Sequence, residues 1–309
     1  MKIHFTNIID YLNNNEQQFR VEGDYNTTFI GFCPLNDLRD NYITWARNPS
    51  YLKIDDFTKH KDIGIICNYF DGWQDFNNVF LFVKDPFKIY FSILDQVHSQ
   101  NKDNEGNFIG ATSVIKSFKI GENVHIGEFC FIGENVEIGS GTIIKNNVSI
   151  ECPAKIGKNV IISSGVVIGE DGFGYFTDIH GKRKRVPHIG GVIIEDDVRI
   201  GENVCVSRGC LGNTTIGRGA QIDSLTHIAH NVCIGEGAHI VCNVCLNGSC
   251  KIGNEAWIAP GSNIKNQVQV GAKAIIGLGA VVTHDIPENA VAVGIPAKTI
   301  RMRMAEEEI

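Results

Sequence analysis

Residues 119–170 read KIGENVHIGEFCFIGENVEIGSGTIIKNNVSIECPAKIGKNVIISSGVVIGE, with isoleucine at 120, 126, 132, 138, 144, 150, 156, 162 and 168 without a miss. Glycine follows at 121, 127, 133, 139, 157 and 169, and four places after each isoleucine stands a small or β-branched residue, from Val124 and Cys130 to Val160 and Val166. A period of six sustained this long marks a solenoid. Alternate residues of a short strand share a face, so the isoleucine and the residue two before it point inward. A turn every six residues makes each hexad one wall of a prism, and three walls close a coil. The isoleucine fills the interior, the small residue keeps the coil tight, and the glycine is expected to relax the corner. Stacked at a strand spacing of about 4.8 Å, roughly eight or nine coils give a rod near 40 Å long.

The pattern returns at Ile194 and Ile200, slips, and runs from Ile216 to Val282. The expected fold is therefore mainly β, a parallel β-helix over 106–285. Two interruptions break it: a loop at 170–193 and a shorter slip between Val206 and Ile216. In solenoids such departures project onto the binding face. The basic run Lys182–Arg185 reads as a solvated loop tip. Residues 1–105 lack the repeat. Apolar stretches at Ile63–Cys67 and Val79–Val83 alternate with polar turns, and Phe87, Ile89, Tyr90, Ile93, Leu94 and Val97 have helical spacing, so an α/β domain is expected there with a linker at Asn101–Asn107. Residues 286–309 read as a cap with a short charged helix at 297–308.

A net charge of −7 argues against nucleic acid as a partner. No apolar run is long enough to cross a bilayer and nothing at the N-terminus reads as a signal peptide, so a cytoplasmic location is expected. Ten cysteines without a secretion signal fit a reducing compartment. Cys242-x-x-Cys245, with Cys233 and Cys250 nearby, has a zinc-like look, but the repeat already assigns these residues places. Structural thiols and no metal are expected, with Cys130, Cys210 and Cys250 on the small interior position.

A filled prism has no cavity, so a site must lie outside, between rods; a closed homotrimer fits that geometry. Outward histidines unlike their neighbours are His227, His230 and His239. His230 sits at a corner with Gly248 eighteen residues on and Asn266-Gln267 eighteen beyond. An imidazole below a glycine amide suits acyl transfer: the base takes a proton from an incoming amine and the N–H holds the oxyanion. Asp223, at the preceding corner, is a candidate to orient the imidazole. Surface histidines are often inert, so His230 alone does not decide the function.

Asp171-Gly172-Phe173-Gly174-Tyr175, Arg208-Gly209-x-Leu211-Gly212 and Ile222-Asp223-x-Leu225-x-x-Ile228-Ala229-His230-Asn231-Val232 resemble the UDP-3-O-acyl-glucosamine N-acyltransferases of lipid A synthesis. Gly31-Phe32-x-Pro34-Leu35, Ile43-Thr44-Trp45-x-x-Asn48-Pro49-x-Tyr51 and Asp85-Pro86-Phe87 extend the likeness over most of the chain. The resemblance implies a left-handed coil, against the usual right-handed crossover. It also implies His230 as general base, Gly248 as oxyanion amide, and uridine held by Trp45 and Tyr51 with Asn48 as hydrogen-bonding partner. Asp171, Phe173, Gly174, Tyr175 and Asn247 would line the substrate site. Ser207, Ser224, Cys242, Cys245 and Asn266-Gln267 depart from that family's pattern. The C-terminal part, with Trp257-Ile258-x-Pro260-Gly261 and Gly277-x-Gly279-Ala280, is similar to CoA-dependent sugar acetyltransferases, which implies donor contacts at Gly277, Gly279, Ala280, Lys298 and Arg301.

Two N-acyltransferase readings follow, neither with a permanently bound cofactor. In the first, a short acyl-CoA acylates a dTDP- or UDP-linked deoxyamino sugar for a surface glycan. The alternative is the lipid A enzyme, with 3-hydroxyacyl-acyl carrier protein as donor. A carbonic-anhydrase-like zinc enzyme needs imidazoles converging from neighbouring coils, and His227 and His239 have no histidine one coil away. A passive scaffold should present a regular outward array, which the irregular charged faces do not.

Overall fold

A computed structural model describes residues 2–24, 26–76, 78–99, 106–151 and 153–304. The chain divides into two compact units between Asp103 and Asn104; most of the Asn101–Asn107 linker falls outside the described residues.

In the first unit Val79–Val83 is an inner strand of a five-stranded sheet. It runs antiparallel to Phe19–Glu22 and parallel to Gly64–Cys67, and the sheet continues through Tyr42–Trp45 to Gly31–Phe32. Val79–Val83 and Gly64–Cys67 are buried along their whole length because each face is covered. Leu81 and Ile66 pack with Ile8, Leu12 and Ile93 of the helices Phe5–Asn14 and Pro86–Ser99. Phe80 and Phe82 turn the other way, into a cluster with Ile63, Ile65, Phe57 and Trp73.

The second unit is a left-handed parallel β-helix. Its walls are sheets of eight, eleven and nine strands. In chain order a coil passes from the first wall (Thr214–Ile216) to the second (Gln221–Ile222) to the third (His227–Ile228). Ile144 pairs with Ile162, Ile162 with Ile200, Ile200 with Ile222 and Ile222 with Ile240. The step of eighteen thus widens to thirty-eight and then twenty-two before it returns, and both interruptions leave the wall register intact. The repeated aliphatics are interior: Ile144, Ile150, Ile162, Val160 and Val166 have no exposed surface.

Corners differ from the expectation. The residue that turns left-handed is the third after the isoleucine, often asparagine, as at Asn123, Asn147, Asn159 and Asn203. The glycine just after the isoleucine answers to a close approach instead. A Cβ on Gly157 would lie 2.6 Å from the Asp196 backbone nitrogen of the next coil.

The cap also differs. Over residues 297–304 there is no helix: Ala290–Val293 joins the second wall beside Ile275–Ile276, and Lys298–Met302 folds back antiparallel on it. Ala290 and Ala292 close the core without exposed surface, and the returning strand covers the edge that a helix would leave open. Residues 305–308 of the expected helix lie outside the described residues.

The 170–193 loop is a β-hairpin, Tyr175–Thr177 against Arg183–Arg185. Its basic run is exposed and serves the hairpin itself: Lys184 Nζ lies 2.9 Å from Asp178, and Arg183 covers the Tyr175 ring. The nine described cysteines are unpaired. Cys130 and Cys250 are interior, and burial pushes the Cys250 thiol up to about 12. Cys210 is not interior, because the second slip lifts it out of the repeat. Among the described residues no helix is long and apolar enough to cross a membrane.

Candidate active site

Both interruptions leave the prism at one corner, where the third wall passes to the first. The hairpin departs after Ile168 and the shorter slip after Val206; the same corner of the next coils carries His230 and then Gly248. Arg208 ties the two interruptions together. Its Nε and Nη2 donate to the Gly190 carbonyl at 2.9 and 2.7 Å, and its backbone N–H donates to the Glu170 carbonyl at 3.0 Å.

Asn231 fixes the tautomer of the neutral histidine beside it. The Cys210 backbone N–H donates to Asn231 Oδ1 at 2.9 Å, and His230 Nδ1 lies 3.2 Å from the same oxygen. An N–H can only donate, so the carboxamide has one orientation and Nδ1 must carry the proton. Nε2 is left with a bare lone pair. Thr214, fully buried, holds the asparagine from below: its hydroxyl accepts from the Asn231 N–H at 2.9 Å and donates to the Ser207 carbonyl at 2.8 Å.

Gly248 makes room for that imidazole. At several other corners the middle residue's N–H is taken by a side chain one coil on, as with Glu128 to Asn146 Oδ1 at 2.8 Å and Glu236 to Asn254 Oδ1 at 3.0 Å. Above His230 the equivalent residue is Gly248, where a Cβ would stand 2.7 Å from His230 Nε2. The Gly248 N–H itself has no acceptor among the described residues. A proton acceptor and a free amide donor therefore adjoin.

The hairpin closes the other side. A Cβ on Gly172 would lie 2.8 Å from His230 Cδ2 and 3.0 Å from His188 Nε2. The His188 and His230 rings stand 5.4 Å apart, and only 6% of His188 is exposed. Sequence reasoning missed His188 and the role of Asn231. An asparagine at a corner looks like any other of this repeat, and no periodicity reports on a residue inside a hairpin.

Other expected site residues are placed differently. Asp223 is not brought to His230 within one chain: it occupies the corner between the second and third walls, at the far edge of the third wall. There its Oδ1 accepts from the Ser224 N–H at 2.7 Å, and it lines a hollow with Arg199, His239 and Trp257. Asp171 is held through its carbonyl by Arg185 at 3.0 Å, and the Gly174 carbonyl takes the Val186 N–H at 2.9 Å. Phe173 is 83% exposed and meets Tyr175 edge-on at 5.0 Å. Asn247 Nδ2 donates to Asn263 Oδ1 and the Ile264 carbonyl, both at 2.8 Å.

Of the expected donor contacts, Ala280 is wholly interior and cannot reach a ligand, because it occupies the small position of the repeat. Gly277 is half-buried, and a Cβ there would meet Val293 Cγ1 at 2.6 Å. Gly279 faces open space, and Lys298 and Arg301 lie exposed on the returning strand. In the first unit Trp45 does not pair with Tyr51. It is half-buried against Phe87, Tyr90 and Phe91, with ring centroids 5.4–6.1 Å away, while Tyr51 is 62% exposed. Asn48 Oδ1 accepts from the Ser50 N–H at 3.0 Å. Desolvation holds His227 below the usual histidine range, and His239 stacks on Trp257. No group of three or more His, Cys, Asp or Glu among the described residues is arranged to hold a metal.

The chain matches a family model described as bacterial transferase hexapeptide (six repeats) at residues 119–152 and 135–170. It is 36% identical over 269 residues to a UDP-3-O-acylglucosamine N-acyltransferase of Christiangramia forsetii, covering 81% of this chain and 77% of that protein. The same-named protein of Anaeromyxobacter dehalogenans is 51% identical over 94 residues, 29% of this chain and 27% of its own length. That match therefore spans about a quarter of the relative. Among solved structures, a UDP-N-acetylglucosamine acyltransferase from Bacteroides fragilis is 28% identical and superposes with a TM-score of 0.53 over 63% of this chain and 72% of that one.

Proposed function

Since the chain belongs to the family of UDP-3-O-acylglucosamine N-acyltransferases, we propose that it moves an acyl group from a thioester to the amine of a UDP-linked 3-O-acylglucosamine. The observation that carries this is the bare Nε2 of His230 standing beneath Gly248. The amine lone pair attacks the thioester carbon, a C–N bond forms, and the carbonyl oxygen becomes an oxyanion that the Gly248 N–H stabilises. The nitrogen is cationic at this point, and His230 Nε2 takes its proton. Collapse breaks the C–S bond, and the imidazolium returns the proton to the leaving thiolate.

An acyl carrier protein thioester is the favoured donor. The relatives' names point away from a deoxyamino sugar, and one of the small residues read as a CoA groove, Ala280, is interior. The working form is a threefold trimer in which Asp223 of one copy serves His230 of the next. Support comes from the two residues lying on opposite edges of one wall, which turns the neutral Val167, Cys205, Cys245 and Asn263 outward. For the nucleobase, Tyr51 offers an exposed ring, whereas Trp45 belongs to the packing of its own unit.

The test is turnover, followed by mass spectrometry, with UDP-3-O-acylglucosamine and 3-hydroxyacyl-acyl carrier protein against short acyl-CoA with dTDP-linked deoxyamino sugars. His230→Ala is expected to lose roughly two to four orders of magnitude in turnover with unchanged circular dichroism. Near-normal turnover in that variant removes His230 from the mechanism. A wild type that uses short acyl-CoA alone removes the acyl carrier protein donor.

A further inference from the structure

His188 lies against the base yet has no part in the step above. Its Nδ1 is 2.8 Å from the Val186 carbonyl oxygen, which can only accept, so Nδ1 carries the proton and Nε2 is a bare acceptor. That Nε2 is buried and has no partner among the described residues. A buried acceptor without a donor is costly, and the exceptions in folded proteins call for a reason. Gly172 lets the loop pack closely over both rings, since a Cβ there would come within 3.0 Å of Nε2 and 2.8 Å of His230 Cδ2. The unfilled lone pair therefore lies beside Gly172 and the base, 5.4 Å from ring to ring.

We propose that the amino sugar completes this pair: His188 Nε2 accepts a hydrogen bond from an N–H or O–H of the sugar while His230 deprotonates the amine. This rests on the N-acyltransfer reading above and adds a binding residue to it. The donor is either the second hydrogen of the reacting amine or a neighbouring hydroxyl. Holding it fixes which way the nitrogen lone pair points.

The experiment uses the full chain with His188→Phe, which keeps a ring and loses the acceptor, and His188→Gln, whose amide oxygen reaches the same space. The phenylalanine variant is expected to raise KM for the sugar about tenfold, with KM for the acyl donor unchanged, and the glutamine variant to recover most of the loss. Deoxy and N-methyl analogues of the sugar identify the donor, because wild type and His188→Phe should treat alike the analogue that lacks it. Unchanged KM for the sugar in His188→Phe overturns the proposal. Should that variant misfold, wild-type KM values indifferent to every analogue overturn it equally. Wild type without turnover on any amino sugar overturns the parent reading and this one with it; wild-type turnover with an indifferent His188→Phe overturns this one alone.

Discussion

His230 and Gly248 hold the same corner position one coil apart, and what distinguishes this corner from its neighbours is a missing side chain. Where Asn254 stands above Glu236, its Oδ1 takes the backbone N–H below at 3.0 Å and fills the space. Gly248→Asn would convert the active corner into that ordinary kind. The new Cβ, 2.7 Å from His230 Nε2, must evict the imidazole, and the amide can then cap the His230 N–H. Turnover is expected to fall about a hundredfold or more, while the melting temperature holds or rises. An active Gly248→Asn enzyme would show that the imidazole works from another position. The same scale separates the two aromatics of the first unit. Trp45→Ala removes contacts with three rings and should cost roughly 2 kcal/mol in urea unfolding, less than a fully buried tryptophan does. Tyr51→Ala, on an exposed ring, should stay within about 0.5 kcal/mol of wild type.

Coil geometry explains which of these features could be read from residues alone. The interior was legible because the repeated isoleucines all face one core, so six-residue spacing is the step from one wall to the next. Glycine's role was not, because the repeat does not distinguish a residue that turns the chain from one that lets the next coil come close. Gly157 and Gly279 separate the two. Alanine at Gly157 must push on the Asp196 backbone at 2.6 Å, and is expected to cost about 1–3 kcal/mol. Alanine at Gly279 meets open space but inherits a left-handed backbone with φ of 64°, for about 1–2 kcal/mol. Urea midpoints for the two variants check both; a neutral Gly157→Ala would mean that the coils part without strain. The same geometry defeated the Asp223–His230 pairing in one chain. The three corners of a prism project in three directions, so residues seven apart diverge, while His230 and Gly248, eighteen apart, converge. His188 and the returning strand Lys298–Met302 belong to no period, and their places follow from the Val186 carbonyl just past the hairpin and from pairing against Ala290–Val293.

At the scale of the molecule, Asp223 and His230 can meet only if a second copy supplies one of them, so the proposed cooperation would be a property of the assembly. In a closed threefold ring each site would take His230 from one chain and Asp223 from the next, and every interface would be the same. Asp223 would then act through its charge, stabilising the neighbour's imidazolium as the amine loses its proton, since Asn231 already accepts the hydrogen bond from Nδ1. This separates it from a residue that merely supports its own corner through Ser224. His230→Ala and Asp223→Ala should each be strongly impaired as pure trimers. Unfolded together in equal amounts and refolded, the two chains assort at random. About a quarter of the interfaces then join an intact His230 to an intact Asp223, so the mixture should regain about a quarter of wild-type turnover. Mixing the folded trimers without unfolding should regain nothing until chains exchange. If Asp223 served His230 of its own chain, every site in the mixture would carry one defect or the other, and co-refolding would leave turnover at the level of the single variants.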